Sequence, residues 1–407
     1  MNLFHLLSLL IVLAAGFAYI NFRLLKLPNA IGLMLVSLLF SILLLLSGQF
    51  FPSLKPLVSD QFSNVNFSEW LLEGMLSFML FAGAIHIKYE DLKSEKLSII
   101  LFSTISVIIS TFIIGFSTYY LLFAFGIHVS LLNTLLFGAL ISPTDPIAVL
   151  SILKRAGISK SLETKIAGES LFNDGVAVVV FVTILQLVKP GAEIHAGEIL
   201  LLFGQEALGG IMLGILLGYL GYKLFASIDN YQVEVLITLA IVMGGYTSAY
   251  FLHVSGPLAM VAAGLVTGNH SKKYGMSALT GEYIDKFWEL IDEILNALLF
   301  VLIGLELLVI RSNGTIMIIS LILIVIVLLT RYISVWIPSM AIRLKEKFDR
   351  RTLVILTWGG LRGGISIALA LSIPAHLDKD IWVTVTYVIV CFSILIQGTT
   401  INRLVRK

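Results

Sequence analysis

Charge is scarce in this 407-residue chain: 13% of residues are Asp, Glu, Lys or Arg, while 58% are hydrophobic and mean hydropathy is +0.99. A soluble domain carries roughly a quarter of its residues charged, so the chain is a membrane protein. Cysteine is nearly absent. Cys391 has no partner in the sequence, which excludes disulfides and cysteine-based metal sites. The net charge of +2 includes no basic block long enough for a nucleic-acid-binding arm, and no nucleic-acid partner is expected. Basic residues are also missing from the first ten positions, whereas Arg23 and Lys26 follow the first apolar run, so that run reads as a retained helix and not as a signal peptide.

A bilayer crossing needs roughly 20 apolar residues, and thirteen such stretches follow one another, near 2–22, 28–48, 69–87, 97–122, 130–153, 162–187, 197–225, 231–252, 254–270, 282–310, 314–342, 350–373 and 380–402. The expected fold is an all-α polytopic membrane protein. If the N-terminus lies outside, the outward loops hold only Lys55, Lys189, Arg311 and Lys379, and Arg331 and Arg362 fall inside spans. The remaining 21 of the 27 basic residues then face inward, as the positive-inside rule requires, giving an N-out, C-in chain in the cell (inner or plasma) membrane. Few residues follow the last span before Lys407, so no soluble C-terminal domain is expected and any regulation by pH would reside in the bundle.

Five ionisable residues lie deep in these spans: Asp145, Glu169, Asp174, Arg331 and Arg362. An intramembrane charge is expensive unless paired or wetted, and by default marks a functional site. Structural ion pairing explains any one of them, but three acids face two bases and one negative charge is left over. A single proton or a single monovalent cation would neutralise it. Asp174 is central in its span, where desolvation penalises the bare carboxylate, so proton and cation can compete there. Ser170 lies at i−4 on the same helical face and adds an oxygen ligand suited to a hard cation, although serines also serve plain helix packing. Glu169 and Asn173 form an adjacent i, i+4 pair, for which interhelical hydrogen bonding is an equal explanation in the case of Asn173.

Two breaks frame this helix. Pro143 and Pro146 in "SPTDPIAVL" interrupt the fifth span, and Gly359, Gly360, Gly363 and Gly364 in "WGGLRGGIS" permit an interruption of the twelfth. Unwound backbone at mid-membrane is tolerated only inside protein or along a cavity. Breaks at the fifth position of two six-span groups point to a transporter of inverted repeats, about 1–190 and 231–403, linked by the helix at 197–225. Asp145 and Arg362 have the signs to compensate the half-helix ends. Arg331 is then the partner for Glu169, with Glu169 to Arg362 as the alternative. The acids Glu282, Asp285, Glu289, Asp292 and Glu293 in the tenth span either line an electronegative entrance or merely solvate a helix start. Gly210, Gly214 and Gly218, four apart, read as close helix packing.

"GESLFNDGVAVVVF", with "SPTDP" upstream and "WGGLRGG" downstream, resembles the monovalent cation:proton antiporter-1 family of NhaP-type antiporters and animal sodium/proton exchangers, over essentially the whole chain. The resemblance implies crossed broken helices, a homodimer, and elevator-like alternating access. The core domain would comprise spans near 97–187 and 314–403, and the remaining spans would form an interface domain. It implies Asp174 as carrier of cation or proton, Asp145, Thr144 and Ser170 as further cation ligands, Asn173 as support for the helix crossing, and Glu169 paired with Arg331. The Asn173–Asp174 pair implies electroneutral one-for-one exchange. Some members carry an acid in helix three, where this chain has Ala82, so coordination would rely more on water.

The expected function is exchange of Na⁺, with Li⁺ and K⁺ as the other candidates, for H⁺, without a cofactor and without enzymatic activity. A carrier of another solute and an ion channel are the alternatives. The surplus of acid argues against an anion carrier, and a channel has no need of a titratable central Asp. Asp145 and Asp174 also resemble an aspartic-protease pair, but the accompanying arginines and oxygen ligands fit transport better.

Overall fold

The computed structural model describes residues 3–50, 70–188, 196–308, 313–342 and 349–405. Among them every long element is helical, and the one β-type pairing is the isolated antiparallel bridge between Asp145 and Leu361. Lys55, Lys189, Arg311, Arg343, Lys345, Lys347, Arg406 and Lys407, used above for orientation, lie outside the described residues, as do the outer ends of the spans expected from 2, from 69 and to 310.

The chain runs through α1 (Leu3–Ile20), α2 (Asn29–Phe50), α3 (Leu76–Ile85), α4 (Ser106–Ala124), α5 (Leu131–Ile141), α6 (Ile147–Arg155), α7 (Lys160–Leu187) and α8 (Ala196–Phe225). It continues through α9 (Tyr231–Leu252), α10 (Gly256–Val266), α11 (Ala278–Glu306), α12 (Gly314–Ile342), α13 (Arg350–Trp358), α14 (Gly364–Ser372), α15 (Lys379–Phe392) and α16 (Gly398–Val405). Among the described residues, eight helical stretches are each long and apolar enough to cross a bilayer unaided. The other five expected spans fail that test for visible reasons. Two are broken in the middle (α5–α6 and α13–α14), two are short α-helices extended by a π-helical turn (α3 preceded by Trp70–Met75, α10 followed by Thr267–Ser271), and α11 carries the acid cluster.

Local chemistry sets the boundaries. Ser130, Ser159, Ser255 and Ser277 each accept a backbone N–H of the following turn and so cap α5, α7, α10 and α11. Gly157, at φ 72°, takes the left-handed turn that carries the chain from α6 into α7. α5 ends at Ile141 and α6 begins at Ile147, bracketing the two prolines, and α13 and α14 are separated by the glycine-rich segment 359–363.

Packing is closest where side chains are smallest. A Cβ on Gly214 would collide with the carbonyl of Ala259, and Gly210 and Gly218 lie as close to Ser255 and Val266, seating α8 on α10. Gly138 brings α5 against the backbone of α4 at Thr111. Ser37 and Ser41 of α2 donate to Val301 O and Gly304 O of α11, each at 2.8 Å. Trp288 of α11 is fully buried, lies 4.6 Å from the Phe81 ring and donates to Thr238 Oγ1 at 3.0 Å, which ties α11 to α3 and α9. Large apolar side chains such as Val12, Tyr19, Leu208, Met212, Leu321 and Leu329 point outward from α1, α8 and α12, the arrangement that lipid tails solvate.

Candidate functional site

α7 delivers four polar side chains to the centre of the bundle: Glu169, Ser170, Asn173 and Asp174 are all buried. Two of them grip the unwound segment between α5 and α6. Ser170 Oγ donates to the Thr144 carbonyl at 2.7 Å, and Asn173 Nδ2 donates to Thr144 Oγ1 at 2.8 Å. Thr144 therefore sits behind Ser170 and Asn173 and fixes how the break meets α7.

The two breaks cross at the Asp145–Leu361 bridge, where Asp145 N–H donates to Leu361 O at 2.8 Å. Arg362 turns its guanidinium to the end of α5: Nη1 donates to the carbonyls of Ser142 and, at 3.0 Å, Pro143. A positive charge at carbonyls left over from a helix C-terminus neutralises their partial negative charge. The Asp145 carboxyl lies against Gly363, just before the N-terminus of α14, where a Cβ would overlap it. An acid near a helix N-terminus is likewise favoured. Gly360 is equally constrained, since its Cβ would come within 2.6 Å of Arg331 Nε.

Arg331 Nη1 lies 2.6 Å from Glu169 Oε1, and its Nε and Nη2 donate to Leu356 O at 3.3 and 3.2 Å. Of the two arginines considered as partners for Glu169, Arg331 makes the contact and Arg362 serves the helix end. Asp174 is left in a different situation. At 7% exposure it makes no hydrogen bond or ion pair with any described residue, and the charge that acts on it is the like charge of Asp145. Both carboxylates and Ser170 open onto a cavity of about 400 Å³ that runs out past Leu150, Ala167 and Thr164 to Lys88, Lys154 and Lys160. At the level of helix three its wall includes Ala82 and Gly83 and, among the described residues, no carboxylate. Such a site presents negative charge and neutral oxygens to a small cation or a proton at the end of a polar path.

Several contributors were not read from the sequence. The backbone freed by the second break is held by Ser393 and Gln397: Arg362 N–H donates to Ser393 Oγ at 2.9 Å, that hydroxyl donates to Gln397 Oε1 at 2.7 Å, and Gln397 Nε2 donates to Trp358 O at 3.0 Å. They flank a π-helical turn (Ser393–Gln397) between α15 and α16, and two polar residues four apart in an apolar span were the available signal. Lys165, read as a basic residue facing inward, is only 7% exposed and pairs with Glu95 at 3.1 Å, while Ser161 also hydrogen-bonds Glu95. The acids of span ten divide. Glu282 pairs with Lys286, Asp285 with Lys272 and His86, whereas Asp292 lines the cavity that holds Asp174.

Residues 9–407 match the family model "Sodium/hydrogen exchanger, transmembrane". The chain is 47% identical to the Na(+)/H(+) antiporter NhaP of Pseudomonas aeruginosa over 99% of this chain and 96% of that protein. It is 33% identical to the Na(+)/H(+) antiporter NhaH of Halobacillus dabanensis over 100% and 99% of the two chains. The structure of the sodium proton antiporter MjNhaP1 from Methanocaldococcus jannaschii superposes with a TM-score of 0.78 at 21% identity, covering 99% of this chain and 98% of that one, and so shares the fold.

Proposed function

The chain belongs to the sodium/hydrogen exchanger family, whose members are transporters and not enzymes, and from that premise we propose how its own residues exchange sodium for protons. It is a multi-pass membrane protein that exchanges a cation for H⁺ and uses no cofactor. Na⁺ and H⁺ are its substrates, and Li⁺ and K⁺ are the further cations to be tried. One observation carries the reading: Asp174 is a buried carboxylate that faces Asp145 and the cavity and meets no cation among the described residues, while Glu169 beside it is neutralised by Arg331.

Asp174 is the carrier, bound alternately by the cation and the proton. Asp145 and Ser170 supply further oxygens from the same cavity wall, and Thr144 contributes from behind through the carbonyl that holds Ser170. Water completes the shell where Ala82 leaves space. Asn173 holds the crossing through Thr144, and Arg362 holds the end of α5. With Glu169 and Arg331 cancelling, and Arg362 offsetting one of the two remaining carboxylates, one negative charge is left for one monovalent cation or one proton. Exchange is then electroneutral, one for one, and the loaded or protonated site can move through the membrane at low electrostatic cost while the bare one cannot.

α4 to α7 and α12 to α16 form a core that slides against an interface domain of α1 to α3 and α8 to α11, carrying Asp174 from one face to the other, and two chains associate through the interface domain. The N-terminus lies outside, so the cavity ends at the inner face, where Lys88, Lys154 and Lys160 lie, and the structure is inward-open. The test is proton movement in proteoliposomes with an acidic lumen. Addition of Na⁺, but not choline, should alkalinise the lumen, with Li⁺ and K⁺ ranking the selectivity, and a potassium–valinomycin clamp should leave the rate unchanged. A rate that follows the imposed membrane potential contradicts electroneutrality, and no cation-dependent change contradicts exchange.

A further inference from the structure

A second cavity, of about 790 Å³, opens between α1, α2, α6 and α11 and meets the first at His86, Leu150, Lys154 and Asp292. Asp292 thus belongs to both walls. Asn296, one turn further along α11 and therefore on the same face, also lines the second cavity. It is 7% exposed, and its Oδ1 has no hydrogen-bond partner among the described residues. A buried amide oxygen with no donor is a group that calls for an occupant.

We propose that Asp292 and Asn296 form a second monovalent-cation site, a station that holds the incoming cation where the two cavities join before it moves on to Asp174. The inference rests on the exchange reading above. The ligand chemistry is a full negative charge beside a neutral oxygen, which suits an alkali cation and repels an anion. The surrounding charges leave the station available. His86 Nδ1 is turned to Asp285 at 3.3 Å, Lys272 pairs with the same Asp285, and Lys154, which lines both cavities, pairs with Glu163 at 3.1 Å, so each has an acid other than Asp292 as its partner. Glu293 follows on α11, and Asp145 repels Asp292 across the first cavity. Asp292, Asp145 and Asp174 therefore line one path in which a cation held at the first is attracted onward by the next two. α11 lies outside the core in the exchange proposed above, so the station serves only the face onto which this cavity opens.

The test is sided kinetics of the full chain in right-side-out and inside-out vesicles, with Na⁺ as the probe. With Na⁺ presented to the face bearing Lys88 and Lys154, Asp292→Asn and Asn296→Leu should each raise the half-saturating Na⁺ concentration about fivefold with the maximal rate kept, the size expected for one lost polar ligand. From the opposite face the same variants should match the parent protein, and Asp292→Glu should restore near-parental behaviour. Equal shifts from both faces, no shift, or a fall in maximal rate at unchanged half-saturation would overturn the station. A parent protein that moves no protons in response to Na⁺ would overturn the exchange reading itself, so the two failures are told apart before any variant is compared.

Discussion

Arg331 and Glu169 meet at 2.6 Å in a pair almost wholly removed from solvent, five residues before Asp174 on the same helix. The pair joins α12 to α7, and the other two guanidinium nitrogens, Nε and Nη2, donate to Leu356 O and extend the join to α13. Removing one partner strands the other charge inside the bundle, so Arg331→Ala should lower stability by about 3–5 kcal/mol, while removing both charges with Glu169→Gln and Arg331→Gln should be milder. Thermal unfolding in detergent reads the difference. A double variant worse than either single one would show that the pair contributes net attraction and is not merely a matched burden.

Ser170 should report on cation affinity. Its hydroxyl donates to the Thr144 carbonyl and leaves its oxygen lone pairs to the cavity. Ser170→Ala loses about 1 kcal/mol of polar interaction and should raise half-saturating Na⁺ roughly fivefold. Steady-state exchange against Na⁺ concentration measures it, and an unchanged half-saturation would remove Ser170 from the site.

Gly363 should accept no side chain. A Cβ there overlaps the Asp145 carboxyl, and both belong to the crossing of the breaks, where neither backbone can retreat. Gly363→Ala should therefore destabilise by about 1–3 kcal/mol and cut exchange by displacing Asp145. Gly126→Ala, at φ 75° in open space, provides a control: it should strain a turn and leave half-saturation alone. Exchange and thermal unfolding of the two variants separate the effects.

Competition at one carboxylate fixes the sign of the pH response. Where the site is mostly protonated, each unit of acidification should raise half-saturating Na⁺ about tenfold with the maximal cation-bound population unchanged, and at high pH the dependence should vanish. Equilibrium Na⁺ binding across pH reads this directly. A falling number of sites at constant affinity would mean that the proton acts elsewhere.

How much of this is legible in the sequence depends on the kind of signal. Helix breakers announce themselves: Pro143, Pro146 and the glycines at 359–364 sit where hydropathy demands a continuous helix, and the breaks are where α5 and α13 end. The polar residues of α7 were visible because they interrupt an apolar run, and i, i+4 spacing sorts them into two strips. The role of Arg362 was less accessible, since carbonyls of Ser142 and Pro143 become its acceptors only once the two segments cross. The pairing of Lys165 was not legible because a lysine near a loop resembles any other positive-inside residue, and only the approach of Glu95 from a distant segment reveals a buried pair. Ser393 and Gln397 were hidden by the π-helical turn, whose i→i+5 bonding alters which residues share a face. The acids of α11 were undecidable from spacing alone because their fates depend on what α3 and the segment at 267–274 bring to each, and those neighbours are remote in sequence.

Asp174→Asn in the proteoliposome assay bears most directly on the central claim, because the amide keeps the shape of the side chain and can neither carry a proton nor present a charge. Single-site exchange predicts a folded protein that no longer alkalinises the lumen on addition of Na⁺, Li⁺ or K⁺ under conditions in which the parent protein does. Retained cation-dependent proton movement in the variant would contradict it, and would place the exchanged proton on another group.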